Sequence, residues 1–422
     1  MRIVRSMTLL LCLLLAVSSV TGAEAAADAE WPCFHGPNRD NRSTETGLLK
    51  QWPENGPDRL WAAGGIGIGY SSVSIAGGRI YTAGSIDNTT FVTALDLEGR
   101  RVWQKPNGRS WKAGPRQRHA VGYAGARSTP TYDDGRLYHL GERGRLAVFD
   151  AASGEETWSI DLQERFHAET PEYGYTESVL ILGDRLFCCP GGTKGHIVCL
   201  RKADGETVWA TPGIEGTVAF SSLVPAEVAG VRQILGMSSS HAFGVDPETG
   251  ALLWSVPHAN FRDNNVTDPI PYKDCVFASS GYGKGSLVVR LRPQGGGLKA
   301  ETVWSSDLLD NHHGGVVRVG DYVYGAGHEA KGWFCLDVMT GKPAWRAPGK
   351  GALTFADGHL YCLDERGTMT LVKATPETYE QVSSFRVPQA GAGLYWAHPV
   401  VCGGRLHVRH ADRLFAYAVA AR

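Results

Sequence analysis

Along most of the chain, apolar and polar residues alternate over short runs, and each run stops at a turn rich in glycine, aspartate or asparagine. Side chains of an extended strand point to alternate faces, so this period of two predicts half-buried β-strands. Two phrases recur. The first is a small polar start, an alternating run, a tight turn and a second alternating run, as in SSVSIAGGRIYTAG (71–84) and STPTYDDGRLYHLG (128–141). It returns in ESVLILGDRLFCCPG, DPIPYKDCVFASSG, GGVVRVGDYVYGAG, GALTFADGHLYCLD and AHPVVCGGRLHVRH, and in a stretched copy over 221–239.

The second phrase is an aspartate, a turn, a glycine and then a tryptophan, as in DPETGALLW (246–254). Trp103, Trp158, Trp209, Trp254 and Trp345 each follow a glycine by four residues; Trp61 and Trp304 hold the same place after degraded turns, and Phe385 substitutes in an eighth copy. The aspartate can accept hydrogen bonds from amides two or three residues on, and the glycine closes a hairpin. The tryptophan is expected to pack between neighbouring units, and Trp254→Ala is expected to cost roughly 3–5 kcal/mol.

The phrases alternate, so each unit holds two hairpins, or four strands, here called a to d from the inside out. Copies recur every 40 to 55 residues. That predicts an all-β fold, an eight-bladed β-propeller of four-stranded antiparallel blades. After the eighth first-phrase copy the chain supplies one more strand, RLFAYAVA (413–420), while DRLWAA (58–63) has no blade before it. The strand around Trp61 is therefore expected to complete the last blade and close the ring, removing an open edge. The expected division is a signal peptide over 1–25, an extension over 26–57 and one propeller domain over 58–422.

Composition changes this picture little. Of 422 residues, 43% are hydrophobic and 20% charged, the normal balance of a folded protein. Net charge is −1, which argues against nucleic acid or an anionic membrane surface as partner. Arg2 and Arg5 precede an apolar run over 7–17, with a cleavage site expected near Ala23-Glu24-Ala25. Cys12 follows a leucine rather than a small residue, so it is not read as a lipid-attachment site. Export to the periplasm or beyond is expected, with no transmembrane segment. Cysteines such as Cys199 and Cys335 take apolar strand positions and are read as buried thiols.

Propellers present their d–a and b–c loops on one face, so the first residues of the inner strands should ring a channel mouth. Three successive tiers come into register there. One runs through Tyr70, Arg127, His313, Lys350 and Trp396, the next through Glu177, and the third through Ser72, Asp268 and His398. Arg127 and Lys350 could hold anionic groups, and Tyr70 and Trp396 could stack on a planar ring or a sugar. Glu177, Asp268, His313 and His398 could hold a divalent cation. Against this, small polar residues are routine where inner strands begin. A double variant, His398→Ala with Asp268→Ala, is expected to abolish binding and leave stability nearly intact. The loops PGGTKG (190–195), GYGKGS (281–286) and GAGHEAKG (325–332) are glycine-rich but lack the helix a phosphate loop needs. The insertion over 105–127 is the one locally basic stretch, a lid or a docking loop.

The repeat resembles that of quinoprotein propellers, which include the pyrroloquinoline-quinone alcohol dehydrogenases and the propeller subunit of the outer-membrane β-barrel assembly machinery. It is also similar to exported pyrroloquinoline-quinone-like repeat proteins of planctomycete-type bacteria. WPCFHGPNRDNRSTETGLLKQWP, SSGYGKGS and NHHGGVVRVGDYVYG carry the likeness alongside the phrases above. The resemblance implies the propeller fold and two functions. One is a non-catalytic scaffold or binding module with a protein, small-molecule or carbohydrate partner at the mouth. The alternative is a quinone-dependent alcohol or sugar dehydrogenase, which would use pyrroloquinoline quinone and calcium, with Asp268 or Glu177 as base and Trp396 against the quinone. In such enzymes adjacent cysteines form a disulfide by the cofactor; the residues of Cys188-Cys189 themselves read as one thiol inward and one outward. The chain is shorter than those enzymes and has no Cys-x-x-Cys-His haem motif.

Overall fold

A computed structural model describes residues 29–114, 122–262, 264–295 and 297–421. The expected signal peptide, Cys12, Arg116 and Arg118 lie outside them. Eight four-stranded antiparallel sheets make up the ring. Blade 1 is Ser74–Ala76, Arg79–Ile86, Thr89–Asp96 and Arg101–Arg109. Blades 2 to 7 begin at Thr131, Leu180, Val224, Ile270, Val316 and Gly351. Blade 8 is Val400–Cys402, Arg405–His410 and Arg413–Ala418, completed on its outer edge by Arg59–Ala63. Trp61 pairs with Ala416, the closure expected from the sequence. Among the described residues one short helix, Leu162–Phe166, interrupts the all-β order.

The recurring phrase works as a joint between blades. Asp246 Oδ1 accepts from Glu248 N at 2.9 Å and Thr249 N at 2.8 Å, fixing the turn. A β-bulge sits just before each outer-strand tryptophan, for example between the pairs Val245–Leu252 and Gly244–Trp254. Bulges bend and twist a strand, and here the ring that follows turns toward the next blade. Trp103, Trp158, Trp209, Trp304 and Trp345 each donate from Nε1 to a backbone carbonyl of the following blade, at 2.7–3.3 Å. Trp254 is the exception: blade 5 has a long outer hairpin without the aspartate turn, and Trp254 Nε1 donates to Gln233 Oε1 at 2.6 Å in its own blade.

Phe385 is not the true eighth copy. The blade 7 bulge places Ser383, not Phe385, in the tryptophan register. Trp52, from the segment before the ring, fills that slot: its amide donates to Ser383 Oγ at 3.0 Å, and its indole packs on Tyr361 and edge-on against Phe385.

The segment before the ring is built into it. Trp31 exchanges backbone hydrogen bonds with Ile75 on the inner strand of blade 1, and Pro32 O accepts from Tyr132 N of blade 2. Arg39, 5% exposed, donates to Ser178 O at 2.9 Å, Leu223 O at 3.2 Å and Val179 O, on blades 3 and 4. Asn41 Nδ2 donates to Leu353 O of blade 7 at 2.5 Å. Residues 31–43 thus cross the central channel as a strap and close one end of it.

Candidate functional site

Above the strap the channel is a cup of about 440 Å³, within the range of small-ligand pockets. Its floor is Phe34 and His35 of the strap; its wall comes from the d–a loops of all eight blades and from b–c loops that carry Tyr282, His328 and Glu365. Tyr70, Arg127, Asp268, His313, Lys350, Trp396 and His398 line the cup, as the register arguments placed them. Glu177 does not. Strand alternation turns it into the blade, where it is 1% exposed and its Oε2 accepts from Cys189 N at 2.8 Å. Burial pushes its carboxyl up to about 8.

The tier of Ser72, Thr129, Ser178, Ser222 and Asp268 has a structural task. Ser72 N donates to Thr129 Oγ1, Thr129 N to Ser178 Oγ, Ser178 N to Ser222 Oγ and Ser222 N to Asp268 Oδ1, at 2.7–3.0 Å. Small hydroxyls at the starts of inner strands therefore lace five blades together. Asp268 ends the series and turns its other oxygen, Oδ2, to His35 Nδ1 at 3.1 Å. His35 Nε2 meets His398 Nδ1 at 2.9 Å, and His398 Nε2 meets His313 O at 2.8 Å. Burial, then the nearby His35, pulls His398 down to about 3.

The other charges are paired as well. Glu365 Oε1 lies 3.1 Å from Lys350 Nζ and accepts from Trp396 Nε1 at 2.9 Å. Arg127 donates to Gly125 O at 3.2 Å, Tyr173 O at 3.0 Å and Tyr123 O, and lies over the rings of Tyr70 and Trp111. It holds the end of the insertion loop in place. The glycine-rich loops 281–286 and 325–332 spend their amides on the buried Asp310, which accepts from Gly283, His328, Glu329 and Ala330 at 2.8–3.3 Å. A phosphate would find those donors occupied.

His35, Phe34, Tyr123, Tyr282 and Glu365 escaped the register argument because loops and strap carry them. Cys188 and Cys189 are unbridged and both buried, which corrects the one-in, one-out expectation: the strand ends at Cys188 and the turn carries Cys189 inward.

A family profile described as outer membrane protein assembly factor BamB matches residues 88–347. BamB of Shewanella oneidensis is 30% identical over 192 residues, 42% of this chain and 45% of that protein. Quinoprotein alcohol dehydrogenase PedH of Pseudomonas putida is 25% identical over 140 residues, 32% of this chain and 23% of that protein. The chain thus spans less than half the length of these relatives. The crystal structure of BamB from Moraxella catarrhalis superposes with a TM-score of 0.58 at 15% identity, covering 86% of this chain and 99% of that one, a likeness of fold alone.

Proposed function

The chain belongs to the pyrroloquinoline-quinone-like propeller family described as outer membrane protein assembly factor BamB, and from that premise we propose that it is an exported, non-catalytic binding propeller whose channel cup receives a partner or ligand. The observation that carries this is a cup with an aromatic wall and a closed floor in which each charged group is held by another protein group. Asp268 turns one oxygen to the Ser222 amide and the other to His35, and Glu365 Oε1 faces Lys350 and Trp396, so both carboxylates are held as part of the wall. Phe261, 74% exposed and edge-on to Tyr282, extends the aromatic surface from the cup to the outer face, where a partner could seat. Among the described residues no helix is long and apolar enough to cross a membrane.

The quinone-dependent dehydrogenase reading fits the cup less well. Pyrroloquinoline quinone is a planar tricarboxylate, and its calcium would need clustered oxygen ligands. Asp268 and Glu365 stand on blades 5 and 7, and among the described residues no three His, Cys, Asp or Glu side chains are grouped to hold a metal ion.

The test is in the native host. With a photo-crosslinking residue at Leu394, on the rim of the cup, a small set of envelope proteins or glycans should be captured and lost in Trp396→Ala. Quinone plus calcium should neither raise the melting temperature nor support dye-linked alcohol oxidation. Quinone-dependent dye reduction overturns the proposal.

A further inference from the structure

The cup holds polar atoms that the protein does not satisfy. Asn264, 7% exposed, has no partner for Oδ1, and neither His312 Nδ1 nor His328 Nδ1 has one among the described residues. Ser178 and Ser222 accept inter-blade amides through their oxygens, leaving their hydroxyl protons to donate. Buried polar groups left unmet are costly, so a ligand filling this cup should offer hydrogen bonds.

Those groups are uncharged. His312 and His328 meet edge to face at a centroid distance of 4.7 Å, with Tyr282 edge-on against both at 4.7 and 4.8 Å. Burial, with mutual repulsion and the charge of Lys350, pulls His312 down to about 3, so these imidazoles are neutral at pH 7 and each carries one donor and one acceptor. The lining cations and anions are equal in number: Lys350 and Arg127 stand against Glu365 and Asp268, with Lys350 beside Glu365 and the Arg127 guanidinium donating to three carbonyls. An anion would find Lys350 already beside Glu365 and Arg127 turned toward carbonyls, and a wholly apolar ligand would strand the imidazole and amide atoms.

We infer that the cup binds an uncharged saccharide. A pyranose matches both halves of the wall: its hydroxyls donate and accept, as neutral imidazole, amide and serine groups require, and its C–H faces lie on rings such as Tyr123, Tyr282 and Phe34. The inference deepens the binding reading above and rests on it.

The full chain is tested on an array of neutral, uronate-bearing and sulfated oligosaccharides, with titration calorimetry of the glycans retained. Neutral glycans should bind, with affinity changing less than about twofold between low and high salt, because no ion pair forms. Tyr123→Ala and Tyr282→Ala should each weaken binding about tenfold at an unchanged melting temperature, and Tyr123→Phe should restore it. In the unaltered protein, added glycan should slow amide exchange in residues 122–127 and 281–286. Retention of acidic glycans alone, binding untouched by both alanine variants, exchange protection elsewhere, or no glycan bound overturns the inference. If no glycan binds while crosslinks at Leu394 to envelope proteins persist and vanish in Trp396→Ala, only the saccharide inference fails; if both are absent, the binding reading falls too.

Discussion

The indole of Trp61 lies across Gly99, so close that a methyl group added to that glycine would stand 2.7 Å from the ring, and its Nε1 donates to Leu97 O at 2.9 Å. Trp61 belongs to blade 8 and Gly99 to blade 1, so this contact is where the ring closes. The same relation joins Trp103 to Gly154, Trp158 to Gly205, Trp209 to Gly250 and Trp304 to Gly341. The glycine of each phrase is thus a seat for the preceding blade's tryptophan as well as a turn. Gly99→Ala should therefore cost more than a left-handed backbone alone. Gly78 is the control: its φ of +71° is similar, and nothing lies within 4 Å of an added methyl. Gly78→Ala should cost about 1 kcal/mol, and Gly99→Ala a further 1–3 kcal/mol from overpacking, read as a lower urea midpoint. Equal losses would show that the seat carries no packing energy.

That joint also marks how far the sequence could be read. Blade number, strand order and closure at Trp61 were legible because a period of two and a recurring aspartate–glycine–tryptophan phrase record local geometry. The cup was legible in part for the same reason. Residues two apart in extended chain share a face, so Trp396 and His398 line the channel together. The same rule applied to Glu177, one residue from either tier, would have turned it away. The strap was not legible. Its hold on the ring is Arg39 and Asn41 donating to backbone carbonyls, contacts that require no pattern of side chains, and WPCFHGPNRDNRS has no periodicity. Trp52 standing in for a missing blade tryptophan could be seen only in the fold.

Acid should unfold this protein through its histidines. His407 is 2% exposed with neither ring nitrogen partnered, and burial, then Arg405, pulls it down to about 3; burial holds His139 and His258 down to about 4. The unfolded chain takes up these protons near pH 6.5, whereas the native state refuses them. Stability is thus fully present above pH 6.5 and falls as pH drops toward 4, each group contributing up to about 1.4 kcal/mol per pH unit. His407→Leu should flatten the fall in urea midpoint by one proton. Glu177 has the opposite sign: raised from 4.5 to about 8, it keeps its proton in the native state after the unfolded chain has lost it, so its contribution is present below pH 4.5 and lost as pH rises to 8, and Glu177→Gln should remove that slope. An unchanged acid slope in His407→Leu would show that this ring is protonated in the fold.

Asp268 should prove to be a structural residue. Its buried carboxylate accepts the Ser222 amide at 2.7 Å and faces His35 at 3.1 Å, so truncation strands an amide and an imidazole at once. Asp268→Ala should cost about 2–4 kcal/mol, and His398→Ala added to it should cost less than the sum, because both act through His35. This replaces the expectation that the double variant leaves stability intact. A chemical denaturation series of both single variants and the double variant measures the coupling directly; full additivity would mean the chain from Asp268 through His35 to His398 is not one unit.

Arg39 should decide whether the cup has a floor. Its guanidinium sits among three inner-strand carbonyls of blades 3 and 4, and removing it leaves acceptors that only water entering the channel could satisfy. The blades keep their own sheets and tryptophan joints, so the ring should survive. Arg39→Met should speed amide exchange in residues 31–43 by at least about tenfold, the response of a locally opening segment, and leave the outer strands of blades 2 to 6 as protected as before. With Phe34 and His35 loosened, any ligand held at the mouth should bind more weakly although no mouth residue has changed. Exchange that rises equally across the outer strands would instead make the strap part of the cooperative core, and the cup a product of global folding rather than of a segment laid across a finished ring.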